Sequence, residues 1–135
     1  DVLVIQAIRS WLEGDPEARA GWLGAMRDPQ IGRAINHIHR SPGQEWTVAR
    51  LAHEVAMSRS AFSARFTNLV GEPPMQYVAR WRMLVARSML AEGTAALAEI
   101  ADKLGYRSEA AFSRAFKRET GMSPGAARAV ARASS

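Results

Sequence analysis

The chain is 135 residues long and 47% hydrophobic, with a formal net charge of +5 and no cysteine. That length holds one ordinary domain or two small units on a shared connector, and the hydrophobic fraction supports a packed core. The missing cysteine excludes a disulfide framework, a Cys-based zinc site and a thiol nucleophile, and the basic balance favours an acidic partner such as nucleic acid.

No run approaches the length needed to cross a bilayer, so no membrane partner is expected. The opening DVLVIQAI is apolar but lacks a basic start and a cleavage site, so it does not read as a signal peptide; a cytoplasmic location is expected. Residues 1–27 read as a linker and a helix from a preceding domain. Val4, Ile5, Ile8, Trp11 and Leu12 share one apolar helical face, suited to a core helix or to a dimerisation helix. Gly14-Asp15-Pro16 breaks that helix. Glu17 to Arg27 leaves two readings open: a short helix holding Trp22, Leu23 and Met26, or a linker that docks those side chains.

Asp28-Pro29 is a helix start, with an N-cap acid and proline at the first position. Ile31, Ala34, Ile35 and Ile38 then face one way. His37 and His39 point to different faces, so they make a poor metal pair; with His53 they are expected at the surface or an edge. Ser41-Pro42-Gly43 is a turn. Thr47 caps the next helix, on which Val48, Leu51 and Val55 are expected to be buried. Met57-Ser58 is a turn, and Ser58 caps a helix with Phe62, Phe66 and Leu69 on its core face. Ser60, Ser63, Ala64 and Thr67 form its outer face, with Arg59 near its start. Arg65 falls on the flank next to the core side, where snorkelling or pairing with an acid and contact with DNA are both open.

Pro73-Pro74 opens a long helix that runs to about Ala91. Tyr77, Val78, Trp81, Leu84, Val85, Met89 and Leu90 are too many for one stripe, so this helix is packed on more than one side. Glu92-Gly93-Thr94 ends it. Leu97, Ile100, Ala101 and Leu104 then make a short apolar stripe closed by Gly105. Ser108 caps the following helix, with Glu109 in its first turn near the positive end of the dipole. Phe112, Ala115 and Phe116 share one face; Ala110, Ser113, Arg114 and Lys117 share the opposite one. Gly121 ends it, and Ser123-Pro124 opens a last helix to Ala133.

A short helix, a tight turn and a second helix with a basic outer face form the helix-turn-helix pattern, whose second helix enters the DNA major groove. The pattern occurs twice. Phe62, Phe66, Gly71 and Pro74 recur 50 positions on as Phe112, Phe116, Gly121 and Pro124, and Leu51-Ala52 recurs 49 positions on as Ile100-Ala101. The second turn therefore has one extra residue. Such an internal repeat takes precedence in the fold assignment. The expected fold is all-α: two helix-turn-helix subdomains joined by a long connector helix, about seven helices plus an N-terminal linker helix. The boundaries fall at 28–72 for the first unit, 73–92 for the connector and 93–133 for the second unit.

These residues resemble the AraC/XylS family of bacterial transcription regulators. The second unit carries Ile100-Ala101, Gly105-Tyr106, Ser108, Phe112, Arg114, Phe116-Lys117, Gly121 and Ser123-Pro124, and the connector carries Arg82-Met83, Ala86 and Leu90. The likeness runs roughly from Ile31 to Arg128. Two departures stand out: Ala127 before Arg128, where the family usually has an aromatic residue, and Ala96, where it often has a Ser or Thr cap. The resemblance implies an AraC-type DNA-binding domain over 28–133, with an effector-binding or dimerisation domain preceding Asp1. The chain starts with Asp rather than Met, as a piece of a longer protein would. RNA polymerase is implied as a further partner; this piece is expected to be monomeric, with dimerisation of the longer protein left open.

The expected function is sequence-specific binding of double-stranded DNA as the DNA-binding module of a transcription regulator, activator being the role put first while activation and repression both stay open. The expected contacts are Thr47, Arg59, Ser60, Ser63, Ala64 and Arg65 in the first unit, and Arg107, Glu109, Ala110, Ser113, Arg114 and Lys117 in the second. Arg can bond both acceptors of a guanine, and capped helix N-termini offer N–H groups to phosphates. The competing reading is a helical interaction module, such as an anti-regulator that kept the fold but not DNA binding. An enzyme is not expected, since there is no Gly-rich phosphate loop and no His-carboxylate cluster at workable spacing. No metal and no cofactor are expected.

Overall fold

The computed structural model describes residues 23–134. The expectations placed on Val4, Ile5, Ile8, Trp11, Leu12 and Trp22 lie outside the described residues. Residues 23–27 are helical and lead into seven helices. These are α1 (Pro29–Arg40), α2 (Val48–Glu54), α3 (Arg59–Val70), α4 (Pro74–Glu92), α5 (Leu97–Lys103), α6 (Glu109–Thr120) and α7 (Pro124–Ala133). No strand occurs among the described residues. Of the stretch 17–27, only residues 23–27 are described; they are helical, with Met26 packed on the core and Leu23 exposed.

The helix starts follow local chemistry. The Asp28 carboxylate accepts from the N–H groups of Gln30 and Ile31, both at 3.0 Å, and Pro29 needs no partner for a donor it lacks. Thr47, Ser58, Ser108 and Ser123 each accept from the N–H three residues on. Ala96 stands at the start of α5 and offers no side-chain bond.

α1 packs on α2 and α3, and α3 packs on α4; in the second half α5 packs on α6, and α4 on both α6 and α7. The connector is the shared wall. Tyr77, Val78, Trp81, Met83, Val85, Ala86, Met89 and Leu90 are all buried along it, which spreads its apolar surface well beyond one stripe. Arg128 of α7 donates to the carbonyls of Leu90 and Ala95, and Arg132 donates to Gly93 at 3.0 Å. Two cations thus satisfy carbonyls at and just beyond the connector's C-terminus, where the dipole favours positive charge.

Two expectations need correction. His39 is not at the surface: it is only 6% exposed, stacks on Trp81 with ring centroids 3.8 Å apart, and its Nε2 lies 2.6 Å from the Tyr77 hydroxyl. Burial lowers its pKa from 6.5 to about 4, so the ring is neutral near pH 7. It sits one residue past Ile38, and Tyr77 and Trp81 of the connector cover it. Val48 is the second correction. It is half-buried rather than core, because the first position of α2 lies at the edge of the unit. Leu69 likewise packs on the core while only partly buried.

Candidate nucleic-acid interface

Each unit presents the start of its first helix and the outer face of its second. In the first unit Thr47 has extended backbone, and its Oγ1 accepts from Arg50 N at 3.0 Å. That bond satisfies one of the unpaired N–H groups at the α2 N-terminus; groups left over can serve a phosphate. Ser58 caps α3 and Arg59 is its first residue. Arg59, Ser60 and Ser63 line an open cleft together with Val48. Arg59, Ser60 and Ala64 are exposed and Ser63 is half-buried. Val48 gives this cleft an apolar wall of the kind that can meet a thymine methyl.

Arg65 is held. Its guanidinium donates to Gln30 Oε1 at 2.8 Å and lies 3.7 Å from the Asp28 carboxylate. Gln30 in turn donates to the Val55 carbonyl at 2.9 Å. The pairing with an acid left open for Arg65 is observed. The arrangement ties the start of α1 both to the turn and to α3. With the arginine side chain 45% exposed, the ion pair itself is worth no more than about 1 kcal/mol.

In the second unit Phe112, Ala115 and Phe116 are buried, which turns the other side of α6 outward. Arg107, Glu109, Ala110, Arg114 and Lys117 are exposed there, and Ser113 is half-buried. Ser108 caps the helix through Ala111 N at 3.0 Å. The outer face of α6 therefore carries two long cations, where that of α3 carries Ser60, Ser63 and Ala64. None of the twelve expected contact residues is buried.

Some residues at this surface escaped the sequence. Arg50 is exposed beside Thr47, its guanidinium 5.3 Å from the centroid of the Trp46 ring. Trp46 is itself buried, and its indole N–H donates to the Ser41 carbonyl at 2.8 Å. Its place just before the N-cap is the hydrophobic-staple position, a signal that was available. Gln30 had no such signal, because a polar residue in a first turn ordinarily faces solvent. Among the described residues no group of His, Asp or Glu is placed to hold a metal ion, and no helix is long and apolar enough to cross a membrane.

Paired helix-turn-helix units with exposed second helices define a DNA-binding module. Residues 51–129 match a family described as a helix-turn-helix domain. An AraC-like transcription regulator of Streptomyces antibioticus is 47% identical over 124 residues, covering 92% of this chain and 41% of that protein. The transcriptional activator RclR of Escherichia coli is 33% identical over 119 residues, covering 88% of this chain and 42% of that protein. The DNA-binding domain of AdpA, a global transcriptional factor solved in complex with a target DNA, has TM-score 0.72 and 33% identity; the match covers 78% of this chain and 95% of that one. The chain belongs to the AraC-type helix-turn-helix family of transcription regulators, and it spans about two fifths of the length of these curated relatives. It is a DNA-binding transcription-regulator module, a class without enzymatic activity.

Proposed function

We propose that this module binds double-stranded DNA sequence-specifically and reads two adjacent major-groove segments with α3 and α6. The observation that carries the reading is the pair of exposed recognition-helix faces in one chain, on opposite ends of a single 19-residue connector. At 1.5 Å per residue that connector spans about 28 Å, near the roughly 34 Å between successive major-groove segments on one side of the duplex. One chain then reads both grooves as a monomer, and its site need not be a palindrome.

The two units share the work unequally. Arg114 and Lys117 supply base readout in the second half-site, with Arg107, Glu109, Ala110 and Ser113 around them. The first unit contributes mainly phosphate contacts through Thr47 and Arg59, with Ser60, Ser63 and Ala64 against the groove and Arg65 bracing α3. The crystal structure of AdpA with a target DNA supports duplex DNA as the ligand. In the longer protein, an N-terminal effector domain regulates this module, RNA polymerase is the downstream partner, and the site of action is the cytoplasm. The activator RclR supports activation as the outcome.

The test is to randomise each half-site in turn and measure affinity at fixed salt, since phosphate contacts make binding salt-dependent. Scrambling the second half-site is expected to cost more. A larger loss from scrambling the first would reverse this division of labour.

A further inference from the structure

The two units touch directly along a seam of backbone. Gly43 lies in the loop between α1 and α2, and Gly105 closes the turn between α5 and α6. A Cβ on Gly43 would lie deep inside the contact radius of the Lys103 carbonyl oxygen and 3.0 Å from its carbon. A Cβ on Gly105 would lie 2.5 Å from the Gly43 carbonyl oxygen. Neither position has room for a side chain, and the opposing atoms are backbone that cannot swing aside. Gly105 also needs its φ of +83°. Gly43 is not in the left-handed region, so the close approach alone excludes a larger residue there.

Arg82 of the connector clamps this seam. Its Nε donates to the Pro42 carbonyl at 2.7 Å and a terminal nitrogen donates to the Gln44 carbonyl at 2.8 Å, one on each side of Gly43. The same guanidinium lies 5.9 Å from the centroid of the Tyr106 ring, next to Gly105. One side chain thus joins the connector, the first unit's loop and the second unit's turn. Each unit meets the connector near a glycine-closed helix end, Gly71 before it and Gly93 after it. Contact along the connector alone would leave each unit able to pivot at its junction; a contact away from that axis removes the pivot.

We propose that the Gly43–Gly105 seam, clamped by Arg82, sets the distance and angle between the two recognition helices and so selects the half-site spacing the module accepts. For DNA the inference rests on both units engaging one duplex. Held in register, the second unit binds at high effective concentration once the first is seated; released, it searches over many orientations.

The chain lacks cysteine, so spin labels on Asn68→Cys and Arg118→Cys report the helix separation without DNA. The parent should give one narrow distance, and Gly43→Ala and Arg82→Lys should each give a broader or displaced one. Selection from a random duplex pool should return two blocks at one spacing for the parent. The variants should return the same blocks at several spacings. Their affinity for the parent's site should fall at least about tenfold, while affinity for a single block stays unchanged. Should Gly43→Ala fail to fold, Arg82→Lys, which leaves both glycines in place, carries the same expectations. An unchanged label distance with unchanged spacing overturns the proposal. A parent that selects only one block overturns the two-groove reading instead, and the label distance then still decides whether the seam fixes the helices.

Discussion

In the first unit Ala56 closes the helix-turn-helix turn at φ +57°, whereas in the second Gly105 does so at φ +83°. The first unit caps its leading helix with Thr47; the second starts its own with Ala96, which makes no cap bond. The first braces its recognition helix through Arg65, Gln30 and Asp28, and extends an aromatic run from Phe62 and Phe66 to Tyr77, His39 and Trp81. The second has a shorter run, Tyr106–Phe112–Phe116, and is braced from behind by α7. One plan is therefore stabilised in two ways. The first unit has a strained turn and a well-tied scaffold; the second has a relaxed turn, a weaker cap and the more strongly charged outer face.

The hardest way to break this comparison is in the second core. Phe116 is fully buried, so Phe116→Ala should cost about 3–5 kcal/mol and loosen the second unit while the first stays folded. Chemical denaturation with hydrogen exchange resolved by residue would show this; an unchanged melting temperature with intact DNA binding would remove Phe116 from the core.

Acid should act on the other unit. His39 titrates near 6.5 when unfolded and about 4 when folded, so the unfolded chain binds more protons between those values. The stability is fully present above about pH 6.5 and is lost as pH falls through that window. Between pH 7 and pH 5 this one group should account for about 2 kcal/mol. Urea titrations at both values, beside the variant His39→Gln, measure it. Equal pH dependence in parent and variant would mean that His39 is not the sensor.

On DNA the contrast reverses. Arg114→Ala should weaken binding to the selected site by about 1–3 kcal/mol and relax base preference at one position. Equal losses on selected and random duplex would make Arg114 a phosphate contact. The smallest effects are repairs of each unit's local defect. Ala96→Ser should stabilise the second unit by about 1 kcal/mol by supplying the missing cap. Ala56→Gly should stabilise the first by less than about 1 kcal/mol, since relief of left-handed strain is partly offset by glycine's backbone entropy. Thermal melts of both variants check the pair; destabilisation by Ala56→Gly would show that the exposed methyl group makes an unrecognised contact.

Much was legible in the chain itself, for reasons of range. Asp28-Pro29, Thr47, Ser58, Ser108 and Ser123-Pro124 act on N–H groups two or three residues away, so helix starts can be read locally. Phe112 with Phe116, and Phe62 with Phe66, announce buried faces by helical spacing, and the repeat of one unit as the other follows from counting. The outward angles of Arg114 and Lys117 came with that spacing. What tertiary structure alone decided involves partners far apart in sequence. His39 is buried because Tyr77 and Trp81, on another helix, cover it. Arg65 is held because Asp28 and Gln30 reach it from the start of α1. Gly43 reads as an ordinary turn glycine until the fold brings the Lys103 and Gly105 backbone against it. Local chemistry determined the helices and their faces; the setting of one unit against the other depended on contacts that exist only once both have folded.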